Sequence, residues 1–188
     1  MMRKLVFILL MLIPFFLGAE KLAVSQVFNP KLKGDDSYVS DVKKVLSSES
    51  VAELNRICVS LEDELGVEIA IVIVPGIKGD DEYDFAYELF NTWRIGKEGK
   101  NNGLLWLYVV DIRAMKFETG YGLEGLLPDA YLNSLLDEDI FPLMREGRVD
   151  EAFLLGLSDI ESRLTTDAAR EELLLNTESP RVVFGNLL

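Results

Sequence analysis

The segment of the sequence most suited to chemistry is a glycine-rich stretch with acidic residues beside it. Gly120-Tyr121-Gly122-Leu123-Glu124-Gly125 is followed closely by Asp129. Hard cations such as Ca²⁺ and Mg²⁺ bind oxygen atoms of carboxylates, amides and backbone carbonyls, and a glycine-rich turn can expose its carbonyls. Glu124 and Asp129 are therefore candidate ligands of a divalent cation, and the turn should bring them near Asn101 and Asn102.

These residues also have ordinary structural explanations. Asp129 follows Pro128 at a predicted helix start, where a carboxylate complements the helix dipole without any metal. Glu124 could simply be solvated. The glycines could serve only the close approach of neighbouring chain segments.

The glycine stretch also matches the pattern G-x-G-x-x-G, which binds dinucleotides in a particular context. That context is a strand before the turn, then a helix and another parallel strand. Residues 128–164 predict only helices. We therefore expect no nucleotide cofactor.

Composition excludes several kinds of site. The chain of 188 residues has 32 acidic and 19 basic residues, a formal charge of −13, one cysteine and no histidine. The acidic balance argues against nucleic acid and anionic lipid as partners. Catalysis by Ser-His-Asp or Cys-His groups is excluded, as are a disulfide and a Cys-rich metal site. A phosphatase would need a nucleophile or an activated water together with positive groups for the phosphoryl oxygens. A bound metal could activate the water, and Arg94, Lys97 and Lys100 could supply charge near Gly120.

Residues 1–19 have the pattern of a cleaved signal peptide. Arg3 and Lys4 precede an apolar run from Leu5 to Leu17, and small residues follow. A membrane-spanning helix needs roughly 20 apolar residues, more than this run contains. No later stretch reaches that length. The sequence predicts an exported protein, periplasmic or extracellular, without a transmembrane segment in the mature chain.

The elements that must position the glycine turn alternate between helix and strand. We expect a helix from near Ser50 to Leu65, stopped by Gly66. The strands should be Val67–Val74, Leu104–Val110 and an antiparallel Ala114–Thr119, with a helix after Asp80-Asp81 between the first two. Further helices should run from Pro128 to about Asp139, interrupted by Pro142, and from Val149 to Leu164.

This order predicts an α/β protein, a three-layer α/β/α domain with a small mixed β-sheet and helices on both faces. We expect an extended polar lead at 20–37, the domain at 38–164, and a tail at 165–188 that is partly helical or mobile. The antiparallel return strand separates Asp111 from the glycine turn by roughly 20 Å. Asp111 and Glu124 therefore cannot bind one ion.

Four segments resemble the TPM-domain family in order and spacing. They are Asn91-x-Trp93-Arg94-Ile95-Gly96, Gly99-Lys100-Asn101-Asn102-Gly103, Glu118-Thr119-Gly120-Tyr121-Gly122-Leu123-Glu124-Gly125 and Leu127-Pro128-Asp129-Ala130. Val39-x-Asp41 also resembles the family's opening motif. The resemblance reaches from about Tyr38 to Ile160.

The resemblance implies an α/β/α domain of exported bacterial and thylakoid-lumen proteins, some of the latter linked to photosystem repair. Members are described as divalent-cation binders and some as acid phosphatases. The resemblance also adds Asp41 as a third metal ligand, provided that the amino-terminal segment packs at the glycine turn.

The chain departs from the family at Ile112, where an Asp often precedes the Arg of the strand turn. It also lacks the membrane helix and Gly-rich tail of many bacterial members.

Three functions follow from these observations. The leading hypothesis is an exported soluble module that holds Ca²⁺ or Mg²⁺ at Glu124, Asp129 and Asp41 and contacts another protein of the cell envelope. The first alternative is a metal-dependent acid phosphatase that hydrolyses phosphomonoesters. The second is a purely structural module without an ion.

Overall fold

The computed structural model describes residues 20–34, 37–79 and 81–178. The predicted signal peptide, residues 1–19, and the last part of the predicted tail, residues 179–188, lie outside the described residues. Within them, a small mixed sheet carries helices on both faces, which confirms the α/β fold expected from the sequence.

The sheet has four strands in the order β1-β2-β3-β4. They are β1 (Val39–Asp41), β2 (Glu68–Val74), β3 (Gly103–Val109) and β4 (Ala114–Thr119). The first three strands are parallel, and β4 runs antiparallel to β3. We call the end of the sheet where β1, β2 and β3 finish its carboxyl edge, and the opposite end its amino edge.

The longer helices have clear start and stop signals in the sequence. The helices are α1 (Ser48–Leu65), α2 (Glu82–Trp93), α3 (Asp129–Ser134), α4 (Phe141–Arg145), α5 (Val149–Leu164) and α6 (Asp167–Glu178). The Ser47 hydroxyl caps α1 by accepting from the Ser50 N–H at 3.1 Å. Gly66 ends α1 with a left-handed φ of 70°. The Asp81 carboxylate caps α2 by accepting from the Asp84 N–H at 2.8 Å.

Helices α1 and α5 cover the first face of the sheet, and α2 covers the second. Trp106 of β3 is fully buried at the centre of the first face and stacks on Phe153 of α5, with ring centroids 4.5 Å apart. The strands β2 and β3 are buried on both faces, as their runs of apolar residues predict.

The lead before β1 is part of the core rather than an extended polar segment. Leu22, Val24 and Val27 are buried against the second face. The Leu22 N–H donates to the Gly76 carbonyl at 2.9 Å, and the Lys78 N–H donates to the Leu22 carbonyl at 2.8 Å. The polar character of the surrounding residues hides this short apolar pattern.

The helical region after Pro128 is continuous at the point where a break is expected. Helix α3 passes into a π-helix, Leu135–Ile140, which passes into α4. Pro142 does not interrupt this run because it lies in the first turn of α4, where its ring is compatible with the helix. The extra residue per turn in the π-helix changes the direction in which α4 presents its side chains.

Candidate functional site

Charged side chains and a tyrosine collect at the carboxyl edge of the sheet. Asp41 ends β1, and Asp111 and Arg113 lie in the turn between β3 and β4. Asp41 is in register with Ile73 of β2, which is in register with Tyr108 of β3. In open α/β sheets, ligands bind preferentially outside the carboxyl ends of the strands. This edge is therefore the candidate location of a functional site.

A cavity of about 520 Å³ opens at this edge, between β3 and the segment that joins α4 to α5. Its size is within the range of small-molecule sites, about 300–1,000 Å³. Its lining residues are Tyr108, Arg113, Phe141, Met144, Arg145, Gly147 and Val149. We call this space the edge cavity.

The edge cavity is cationic in a strongly acidic protein. Arg113 and Arg145 both line it and are exposed. Neither arginine forms a salt bridge with any residue that the structure describes, whereas nearby Arg148 pairs with both Glu146 and Glu151. Guanidinium groups without a carboxylate partner are available to an anionic ligand.

Tyr108 gives the edge cavity a neutral hydrogen-bond donor. Only 8% of this residue is exposed. Burial raises the pKa of the Tyr108 hydroxyl, and the nearby charge of Arg113 opposes that rise without cancelling it. The hydroxyl is therefore protonated at neutral pH and can donate to an anion.

Unusual backbone conformations position both arginines. Arg113 has a left-handed φ of 52°, which is uncommon for a residue with a side chain. Arg145 ends α4, and the π-helix before α4 is closed by a hydrogen bond from the Phe141 N–H to the Leu136 carbonyl. Strained backbone and π-helical turns occur preferentially at functional sites.

Asp41 has one carboxylate oxygen that lacks a partner. Its Oδ2 accepts from the Leu46 N–H at 2.8 Å, and its Oδ1 is buried without a hydrogen bond to any described residue. Leaving a buried polar group unsatisfied costs about 1–3 kcal/mol. This oxygen is therefore suited to a bound water or cation.

The three predicted metal ligands do not come together. Register places Asp41 at the carboxyl edge, whereas Glu124 and Asp129 follow the end of β4 at the amino edge. The expectation that Asp41 lies at the glycine turn is wrong because β1 runs parallel to β2, which carries Asp41 to the far end. Asp41 therefore cannot share an ion with Glu124 or Asp129.

Glu124 and Asp129 are both exposed at the amino edge. Burial raises the pKa of Glu118, Lys116 opposes this rise, and the charge of Asp129 adds to it, so Asp129 lies near Glu118. No group of three or more acidic or cysteine side chains suited to a metal ion occurs in the described parts of the chain. Cation binding by Glu124 and Asp129 stays a prediction.

The oxygen atoms that could help Glu124 and Asp129 to bind a cation already accept hydrogen bonds within the protein. The Asn101 carbonyl accepts from the Gly122 N–H at 2.9 Å, and the Gly103 carbonyl accepts from the Gly120 N–H at 2.8 Å. The Asn102 side chain is buried and bonds to the backbone of Lys97 and Gly66. These contacts support a structural role for the glycine turn.

Lys97 is likewise engaged at the amino edge, in a group of charged side chains that we call the Glu62 cluster. Glu62 accepts from Lys31 Nζ at 3.0 Å, from the Tyr38 hydroxyl at 2.6 Å, and from Lys97 Nζ. Lys31 also pairs with Glu68 at 3.1 Å. Because Lys97 is neutralised by Glu62, it is not free to bind a phosphoryl group as the sequence suggested.

The residues of the edge cavity were not predicted from the sequence as a site. Arg113 belongs to a recognisable strand turn, which was a partial signal. Tyr108 lies within a buried apolar strand and looks like a core residue. Arg145 follows a π-helix that has no sequence signature, so nothing in the pattern places it beside Arg113.

The chain matches the sequence model of a known family over residues 39–163, described as the TPM domain and named TPM phosphatase. The match runs from the start of β1 to the last turn of α5, and so includes the carboxyl edge and all lining residues of the edge cavity. No curated protein matches the chain.

Three solved structures resemble this one. The N-terminal domain of a protein from P. gingivalis is 32% identical with a TM-score of 0.73, and the alignment covers 81% of this chain and 96% of that chain. The BA42 protein of the psychrophilic bacterium Bizionia argentinensis is 16% identical with a TM-score of 0.55, over 66% of this chain and 85% of that one. An N-terminal domain from Corynebacterium glutamicum is 14% identical with a TM-score of 0.54, over 74% and 87%. The last two show similarity of fold alone.

Proposed function

Since the chain belongs to the TPM domain family, we propose that it is an exported protein that binds a phosphomonoester in the edge cavity. The observation that carries this proposal is the convergence of Arg113 and Arg145, both without an acidic partner among the described residues, with Tyr108 at one cavity. The phosphate group would lie among these three side chains.

The chemistry of these side chains suits a phosphate group. Guanidinium groups present paired N–H donors that match two phosphate oxygens, and charge-assisted hydrogen bonds are about twice as strong as neutral ones. The protonated Tyr108 hydroxyl supplies a further donor. With a net charge of −13 on the chain, two unpaired arginines at one cavity would give an anion a local attraction that the rest of the surface lacks.

A divalent cation, Ca²⁺ or Mg²⁺, is the second part of the proposal. The observation that favours it is the buried, unpartnered Oδ1 of Asp41 at the same edge. Asp111 is also at this edge, and backbone carbonyls or water would have to complete the coordination, since the described residues contain no group of three suitable side chains. A bound cation would polarise a phosphoryl oxygen or lower the pKa of a bound water. The family name suggests phosphatase activity. Because the chain has no histidine to act as an acid or base, such a cation would supply the activated water for that activity.

Export forms the third part of the proposal. It rests on the signal-peptide pattern of residues 1–19. Among the described helices, none is both long and apolar enough to cross a membrane. Contact with another envelope protein is proposed on the family resemblance alone.

Binding of inorganic phosphate tests the proposal directly. Calorimetric titration of the purified chain should show binding that weakens by at least about tenfold in Arg113→Gln and in Arg145→Gln, because each removes a charge-assisted hydrogen bond. Arg148→Gln is the matched control, since Arg148 is close in sequence but pairs with Glu146 and Glu151. Absent binding, or equal affinity in all three variants, would overturn the proposal.

A further inference from the structure

The edge cavity has an apolar wall in addition to its two arginines. Phe141, Met144 and Val149 line it, and each is partly buried with one side packed against the core. From this wall we propose that the cavity selects an aryl phosphomonoester, a ligand with a phosphate head and a flat aromatic body. This inference rests on the proposed phosphate site and adds the class of molecule that carries the phosphate.

The cavity is larger than a phosphate group requires. A water molecule accounts for about 30 Å³ in the liquid, and a phosphate group is only a few times larger. The cavity measures about 520 Å³. Most of this space would therefore hold the rest of the ligand.

The lining residues favour an apolar body over a polyhydroxylated one. Apart from Arg113, Arg145 and Tyr108, the side chains that line the cavity carry no hydrogen-bonding group. The hydroxyl groups of a sugar or glycerol body would face this wall without enough partners, which is unfavourable. An apolar body would instead gain from covering the wall, at about 25 cal/mol per Å².

Specific contacts favour an aromatic body over an alkyl chain. Aromatic rings stack on phenylalanine in offset or edge-to-face arrangements. The thioether of methionine interacts favourably with aromatic rings, and guanidinium planes stack on their faces. Phe141, Met144 and Arg145 offer all three contacts within helix α4.

The segment after α4 keeps this wall next to the phosphate site. Gly147 turns the chain with a φ of 77°, and the Arg148 N–H donates to the Leu143 carbonyl at 3.0 Å. Helix α5 then begins with Val149. The arginine of α4 and the apolar side chains on either side of this turn are therefore held as one unit.

Three probes separate this inference from the proposed function. Inorganic phosphate, glycerol 2-phosphate and phenyl phosphate are titrated calorimetrically into the purified chain with a chelator present to prevent hydrolysis. Phenyl phosphate should bind at least about tenfold more tightly than the other two, because its ring covers the apolar wall. Arg145→Gln should weaken all three probes.

Met144→Gln tests the wall at nearly constant side-chain volume. It should remove most of the affinity advantage that phenyl phosphate has over inorganic phosphate in the wild type. Val149→Thr, which is nearly isosteric, provides a second variant should Met144→Gln fail to fold. Leu155→Gln is the control, since Leu155 is an exposed apolar residue of α5 that does not line the cavity.

Each outcome has one meaning. If phenyl phosphate and glycerol 2-phosphate bind equally and both require Arg145, the aryl preference is wrong and the phosphate site stands. If phenyl phosphate keeps its advantage in both wall variants, the apolar wall is not its source and the inference is overturned. If none of the probes binds, the proposed function fails and the inference fails with it.

Discussion

Gly156 of α5 and Trp106 of β3 are so close that no side chain fits between them. A Cβ atom on Gly156 would lie 2.7 Å from the Trp106 indole and 2.8 Å from Cδ1 of Ile140. Trp106 is fully buried and its ring packs on Phe117 and Phe153, so a shift of the ring would disturb these contacts. The packing of α5 on the first face of the sheet therefore depends on this glycine.

The first prediction is that Gly156→Ala destabilises the protein. Overpacking of this kind destabilises a protein by about 1–3 kcal/mol. The better helix propensity of alanine offsets about 0.5–1 kcal/mol of this loss. Urea unfolding followed by tryptophan fluorescence measures the loss. Ser158→Ala, an exposed change on the same helix, should leave stability nearly unchanged, and equal stability of the two variants would contradict the packing explanation.

The second prediction concerns the glycine turn. A Cβ atom on Gly122 would collide with the Lys100 carbonyl, whereas one on Gly125 would meet only the flexible end of Glu172 at 3.0 Å. Gly122→Ala should therefore lower the free energy of unfolding by about 3 kcal/mol or more. Gly125→Ala should lower it far less. The turn would lack its structural role if both variants melted at the wild-type temperature.

The third prediction is a pH dependence set by the Glu62 cluster. Burial opposes ionisation of Glu62, but hydrogen bonds from Lys97, Tyr38 and Lys31 outweigh burial and hold its pKa below the usual value of 4.5. Because the folded-state pKa is lowered, ionised Glu62 stabilises the fold above the unfolded-state pKa. That stabilisation is lost as the pH falls through the folded-state pKa.

Glu62→Gln should accordingly lower the free energy of unfolding at neutral pH by about 1–3 kcal/mol. Its stability should also decline less than that of the wild type when the pH falls from about 5 to about 3. Denaturant unfolding at several pH values checks both statements. Glu88→Gln, at an exposed position of α2, should follow the wild-type profile, and a wild-type profile for Glu62→Gln would disprove the effect.

The fourth prediction separates two locations for a divalent cation. Ca²⁺ or Mg²⁺ at about 100 times its dissociation constant should stabilise the wild type by about 2.7 kcal/mol. Asp41→Asn should abolish this effect, and its amide oxygen can still accept from the Leu46 N–H. The double variant Glu124→Gln, Asp129→Asn should retain the effect.

Thermal unfolding with and without each ion measures these shifts. The opposite result, with Asp41→Asn responding to the ion and the double variant not, would place the cation at the glycine turn. No shift in the wild type at millimolar ion would remove the cation from the proposal altogether.

The sequence predicts the buried strands and the long helices because their signals are local. β2 consists largely of β-branched residues, and Ser47 and Gly66 bound α1 with known capping chemistry. By contrast, β1 has only three residues, of which Ser40 alone is buried, so no periodicity marks it. Missing that strand led directly to the wrong location for Asp41.

The candidate site could not be predicted from the sequence, for a related reason. Arg113 and Arg145 are separated by the whole of α3 and the π-helix, and their proximity depends on how many residues each turn contains. A hydrophobic pattern does not reveal an i+5 turn, because the buried positions shift by only one residue. The arrangement at the carboxyl edge is thus a property of tertiary structure.

The burial of Leu22, Val24 and Val27 has a practical consequence for anyone who expresses this domain. The match to the family begins at residue 39, and a truncated gene product starting there would leave Val72 and Leu107 without the cover that these side chains share with α2. Such a product would expose an apolar patch on this face of the domain and would tend to aggregate. Cloning boundaries should therefore precede residue 22, well upstream of the start of the family match at residue 39.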